Sequence, residues 1–95
     1  MTDPEATVRD NTDASRFELE VDGQVAILQY ERQPGVIVLA HTEVPPAFRE
    51  RGLASALAKA ALEAARAQGL RVIATCPFVK AYLRKHPELA NPEAR

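Results

Sequence analysis

The 95 residues contain one cysteine, Cys76, which excludes an internal disulfide and a cysteine-rich zinc site. Long apolar runs are also missing. The longest, Val36 to Ala40, is far below the ~20 residues that a membrane-spanning helix needs, so no membrane partner is expected. The first fifteen residues carry Asp3, Glu5, Asp10 and Asp13 and no apolar stretch, which predicts no secretory signal and a cytoplasmic, reducing location. Nor is there an excess of one charge: 12 Lys and Arg stand against 13 Asp and Glu, a net of -1. That balance argues against a generic nucleic-acid coat.

The near-neutral sum hides an asymmetry. Residues 1–45 carry 3 basic and 9 acidic side chains, whereas residues 46–95 carry 9 basic and 4 acidic. The second half therefore suits a polyanionic ligand. Length allows one domain, removing roughly two-thirds of its unfolded surface from water.

Residues 1–14 read as a polar arm with little to bury. Beyond it, Phe17, Leu19 and Val21 alternate with Glu18, Glu20 and Asp22, the period of a strand with one wet face. Asp22-Gly23 marks a hairpin turn, since a type I′ turn needs positive φ at both central residues. A second strand runs Gln24 to Glu31, and Pro34-Gly35 supplies the next turn. The strand Val36 to Val44 is apolar on both faces until His41, which predicts an interior place in the sheet. Strict alternation puts His41 on the face of Ile37 and Leu39. Pro45-Pro46 ends the strand.

A helix is predicted from about Gly52 to Gln68, with Leu53, Leu57, Ala61 and Ala65 recurring four apart. Arg71 to Thr75 reads as a short buried strand, and Cys76-Pro77 opens a second helix that His86-Pro87 stops. The fold class predicted is α+β: an antiparallel meander continuing into one parallel strand–helix–strand crossover, with a C-terminal helix.

The stretch Arg49-Glu50-Arg51-Gly52-Leu53-Ala54, between a strand and a helix, carries the most chemistry. A helix N-terminus offers unpaired N–H groups and about half a positive charge to an anion. Gly52 allows close backbone approach, Arg49 and Arg51 add charge, and Ser55 adds a hydroxyl. The same residues also suit a helix that merely starts close to the sheet. Neither the dinucleotide glycine spacing nor a Walker Lys-Ser/Thr is present.

Arg49-x-x-Gly52-x-Ala54 resembles the pyrophosphate-binding signature of the GNAT superfamily of acetyl-CoA-dependent N-acetyltransferases. His41-Thr42-Glu43-Val44-Pro45, the Arg-Gly-Leu-Ala turn at 51–54, and Cys76-Pro77-Phe78-Val79 with Tyr82 and His86-Pro87 are similar to its small stand-alone "minimal" branch. Phe17-Glu18 and Asp22-Gly23 extend the likeness over roughly residues 8 to 89. The resemblance implies a single acetyl-CoA-binding domain over 15–90, with an N-terminal arm over 1–14 and a tail over 91–95. It also implies that the amides of Arg51, Gly52, Leu53 and Ala54 hold the coenzyme A pyrophosphate, while Val44 pairs with the pantetheine in a gap between splayed strands. The chain lacks the helical segments between the first strands that usually build the superfamily's acceptor site, so an open site is expected.

Cys76 has two readings from its position alone: a thiol activated at a helix N-terminus, or a small buried packing group. His41 is either a proton-transfer group or a core-edge histidine bonded to a carbonyl. The resemblance implies that Cys76 lies near the thioester and that His41 faces it as base or orienting group. Glu43, which alternates onto the same strand face as His41, is a weaker general-base candidate. The resemblance also implies that Tyr82 protonates the departing thiolate, although core packing explains a Tyr there as well. Lys80, Arg84 and Lys85 either border the phosphates or form a solvated helix face. No metal ligand is expected. The implied function is acetyl transfer from acetyl-CoA to an amine on a small molecule or a protein, by a monomer or homodimer. The alternatives are a non-catalytic acyl-CoA-binding or sensing module and a small interaction domain without a cofactor.

Overall fold

The computed structural model describes residues 8–46 and 52–89. Five strands, β1 (Arg9–Asn11), β2 (Arg16–Val21), β3 (Gln24–Gln33), β4 (Val36–Glu43) and β5 (Arg71–Ala74), form one sheet in sequential order. Helix α1 (Leu53–Ala67) connects β4 to β5, α2 (Pro77–Lys85) follows β5, and a short 3-10 turn spans Pro87–Leu89. The first four strands pair antiparallel, and β4 pairs parallel with β5. This is the expected meander and crossover.

Local chemistry accounts for the joints. Asp22 and Gly23 both have positive φ, 53° and 79°, as a type I′ hairpin requires. The register Val21↔Gln24 closes β2 onto β3 around them. Cross-strand pairs Phe17↔Leu28 and Leu19↔Ala26 share the buried face. Leu53, Leu57, Ala58, Ala61, Leu62 and Ala65 of α1 cover that face, and small Ala side chains let the helix pack closely. At about 25 cal/mol per Å² of apolar surface, this single layer of helix on sheet is the main stabilising term.

β5 is an edge strand with Ile73 44% exposed rather than the buried strand expected, and two further features differ from the sequence-based expectation. Within the polar arm, Arg9–Asn11 forms a strand on β2. It is held by polar side chains rather than apolar ones. Arg9 Nη2 and Arg16 Nε donate to the Glu18 carboxylate at 2.6 and 2.7 Å, Asn11 Nδ2 donates at 3.0 Å, and Tyr30 donates its hydroxyl to Asp10 at 2.6 Å. The last difference is a β-bulge. Tyr30 pairs with Leu39 but Gln29 pairs with His41, so Ala40 is an extra residue on β4.

That insertion reverses the alternation of everything beyond it on β4. Thr42 pairs with fully buried Leu28 and so turns to the inner face, against the helices. His41 pairs with exposed Gln29 and Glu43 with half-buried Ile27, on the outer face. His41 therefore does not share the face of Ile37 and Leu39, and the expectation from strict alternation is corrected.

Candidate functional site

The β4–β5 ladder ends at Leu39↔Ala74. The Leu39 carbonyl then accepts from both the Thr75 and Cys76 amides, at 3.0 and 3.2 Å. Past this point the chain after β5 turns into α2, while β4 runs on to Glu43. The strands therefore separate, and Ala40 to Glu43 have no ladder partner on the β5 side. A cleft of about 760 Å³ opens there, lined by His41, Thr42, Glu43, Val44, Pro45 and Pro46, with Val25 of β3, Ala54 of α1 and Phe78 of α2. Pro45 and Pro46 line this mouth, and neither can donate to a further strand pair.

Helix α1 starts at the edge of the cleft. Its N-cap, Gly52, is left-handed at φ 74° and ψ 16°, and no side chain caps the helix. The first amide of this end that finds an acceptor is that of Ala56, bonded to the Gly52 carbonyl at 3.0 Å. Among the described residues, none accepts from the amides of Gly52, Leu53, Ala54 or Ser55. These donors, with the positive end of a 15-residue helix, make an anion-binding geometry. The Leu53 side chain points into the core, Ala54 lines the cleft and Ser55 is exposed. Arg49 and Arg51 lie outside the described residues.

Cys76 is the N-cap of α2, with Pro77 following it in the first turn. The cysteine is 4% exposed and belongs to the core cluster, and it is not among the cleft-lining residues. Its sulfur lies 3.3 Å from Thr42 Oγ1. Burial pushes the thiol up. The Thr42 side chain, the Val79 and Phe78 amides and the Thr42 backbone pull it down, and the net direction is below the ordinary thiol value. The sulfur makes no full capping hydrogen bond, so the helix amides act on it as weak, oriented dipoles.

His41 Nε2 and Glu43 Oε2 form a pair at 3.1 Å, with side chains 53% and 67% exposed. Both line the cleft from its outer wall. The structure thus brings His41 together with Glu43, and Cys76 together with Thr42, on opposite faces of the sheet. Half-buried Val44 also lines the cleft and packs against the core. Tyr82 is half-buried against the core, with its ring 6.4 Å from Phe78 and 4.4 Å from His86, and does not line the cleft. Lys80, Arg84 and Lys85 are exposed on α2.

Two contributors, Thr42 and Phe78, stand in the sequence only as members of family-like motifs, with no role of their own. Thr42 takes the inner position because of the bulge, which no residue pattern signals. Phe78 fills a cleft wall, and its place in the first turn of α2, two residues after the N-cap cysteine, was the available signal.

Known proteins resemble this arrangement. The profile of the GCN5-related N-acetyl-transferase family matches residues 16–91. Protein NATD1 of Xenopus tropicalis is 38% identical over 90 residues, covering 90% of this chain and 83% of that protein. Protein NATD1 of Homo sapiens is 44% identical over 63 residues, covering 65% of this chain and 56% of that protein. The solution structure of a GCN5-like protein from Staphylococcus aureus superposes with a TM-score of 0.64 at 25% identity, covering 88% of this chain and 83% of that one. With the family profile spanning most of the chain and the crossover fold matched as well, the chain belongs to the GCN5-related N-acetyltransferase family.

Proposed function

We propose that this protein is an acetyl-CoA-dependent N-acetyltransferase acting on an amine. The observation that carries the reading is the junction of unpartnered α1 amides with the cleft between β4 and α2, in a chain of this family. A diphosphate matches the amides of Gly52, Leu53 and Ala54, and the cationic Arg49 and Arg51 flank them in sequence. The β4 edge from Ala40 to Glu43, past the end of the β5 ladder, suits an extended pantetheine arm. Acetyl-CoA supplies an activated acetyl thioester when bound.

In the transfer, the acceptor nitrogen attacks the thioester carbonyl, a C–N bond forms, the C–S bond breaks and the nitrogen loses a proton. The His41–Glu43 pair sits on the outer wall of the cleft, where it can take that proton. Cys76 lies buried on the inner side behind Thr42, and a second route through an acetyl-cysteine runs through its sulfur once that sulfur reaches the cleft. Tyr82 is assigned to return a proton to the departing coenzyme A thiolate, in line with the family resemblance.

One observation favours a second reading, a non-catalytic acyl-CoA-binding module. Tight turns join β2 to β3 and β3 to β4, so no helical segment builds an acceptor pocket between them.

Intact-mass measurement after incubation with acetyl-CoA, with and without a panel of primary amines, separates the readings. Acetylated amine with released coenzyme A is the expected result, and an adduct lost in Cys76→Ala identifies the acetyl-cysteine route. Thermal stabilisation by coenzyme A without transfer to any amine supports the binding module. A ligand at ~100 times its Kd adds roughly 2.7 kcal/mol. Absence of any stabilisation overturns both and favours a cofactor-free interaction domain.

A further inference from the structure

We infer that Thr42 is a positioning residue for Cys76: held on the inner face by the Ala40 bulge, its hydroxyl bonds the sulfur and sets its ionisation. The role in turnover rests on the acetyl-transfer reading above, whereas the effect on ionisation does not.

Three independent observations meet at Thr42. The register Leu28↔Thr42 and the extra residue Ala40 place it on the helix side of the sheet. Its Oγ1 lies 3.3 Å from the Cys76 sulfur. Thr42 also lines the cleft, whereas Cys76 does not, so Thr42 is the side chain that touches both. A hydroxyl can accept from a thiol or donate to a thiolate, but the bond to the charged partner is the stronger. Thr42 therefore stabilises the ionised sulfur selectively, against the opposing effect of burial.

Among the described residues, the charged side chains of the elements packed around the sulfur are exposed or turned to the outer face. On β4, His41 and Glu43 turn to the outer face. On α2, Lys80 is exposed and the ring of Tyr82 lies against Phe78 and His86. From α1, the core cluster receives the apolar Leu53 and Leu57, while Lys59 and Glu63 are exposed. On β5, Arg71 is exposed and Ala74 follows Ile73 toward Thr75.

The test is a pH titration of ultraviolet thiolate absorbance in the full chain without coenzyme A, using Cys76→Ser as the blank for tyrosine. Thr42→Val keeps the shape and removes the hydroxyl, and its midpoint should rise by about one pH unit. Thr42→Ser should return it close to wild type. Thr42→Ala should match Thr42→Val, and it decides the case if the valine variant misfolds by circular dichroism. A midpoint unchanged in Thr42→Val and Thr42→Ala, or a serine variant shifted as far as these two, overturns the proposal. Because no cofactor is used, such a failure leaves acetyl transfer standing, and loss of acetyl transfer leaves the titration result standing.

Discussion

His41 and Glu43 form a 3.1 Å pair on the outer wall of the cleft, on the opposite face of the sheet from Cys76. The imidazole and carboxylate line the opening, whereas the thiol lies buried behind Thr42, which lines the opening and touches the sulfur.

For the pair itself, His41→Ala should lower turnover by ~10²–10⁴-fold, the range for loss of a general base. Glu43→Gln should lower it less, because the imidazole remains. Both side chains are exposed, so thermal unfolding should stay within ~0.5 kcal/mol of wild type. Steady-state kinetics beside a melting curve checks this. A His41→Ala protein with full turnover would remove the residue from the proton path.

Gly52 should resist substitution for a backbone reason. Its φ is 74°, and a methyl group there meets no atom of the described residues within 4 Å. The cost of Gly52→Ala is therefore conformational, about 1 kcal/mol, and urea unfolding should show it with an unchanged slope. A cost near zero would mean that the turn relaxes to negative φ.

Glu18 ties β1 to the sheet, and its carboxyl is lowered from 4.5 to about 2 by hydrogen bonds from Arg9, Arg16 and Asn11. The depressed value means that the folded state binds this proton less readily than the unfolded chain. Its contribution is thus present above pH ~4.5 and lost as pH falls toward 2. The melting temperature of Glu18→Gln should lie below that of wild type at neutral pH, and the gap should close in that acid window. A gap independent of pH would assign the effect to packing.

Tyr30 shows the opposite sign. Burial and the Asp10 carboxylate raise its phenol from 10.0 to about 12. The folded state keeps this proton longer than the unfolded chain does, so stability falls as pH climbs from ~10 through ~12. Tyr30→Phe should cost ~1–2 kcal/mol at neutral pH and flatten that alkaline loss, as read by denaturant titration at several pH values.

Much of this was legible from residue order. The Asp22-Gly23 turn, the Leu53–Ala65 stripe and the Cys76-Pro77 helix start are local signals, each written within a few neighbouring residues, and they appear where expected. The β1 strand was not legible, because Arg9, Asp10 and Asn11 have no apolar alternation. Their partners Glu18 and Tyr30 lie nine and twenty positions away. Such pairs exist only once β2 and β3 have assembled.

Sequence alone determined strands β2 to β5, the two helices, their order and the family, since hydrophobic period, turn chemistry and the separated motifs from Phe17-Glu18 to His86-Pro87 are properties of short stretches. Only the tertiary structure decided which side chain reaches the thiol. One extra residue at Ala40 turns Thr42 inward and His41 outward. A bulge arises from how two strands settle against each other and leaves no mark in the strand that carries it.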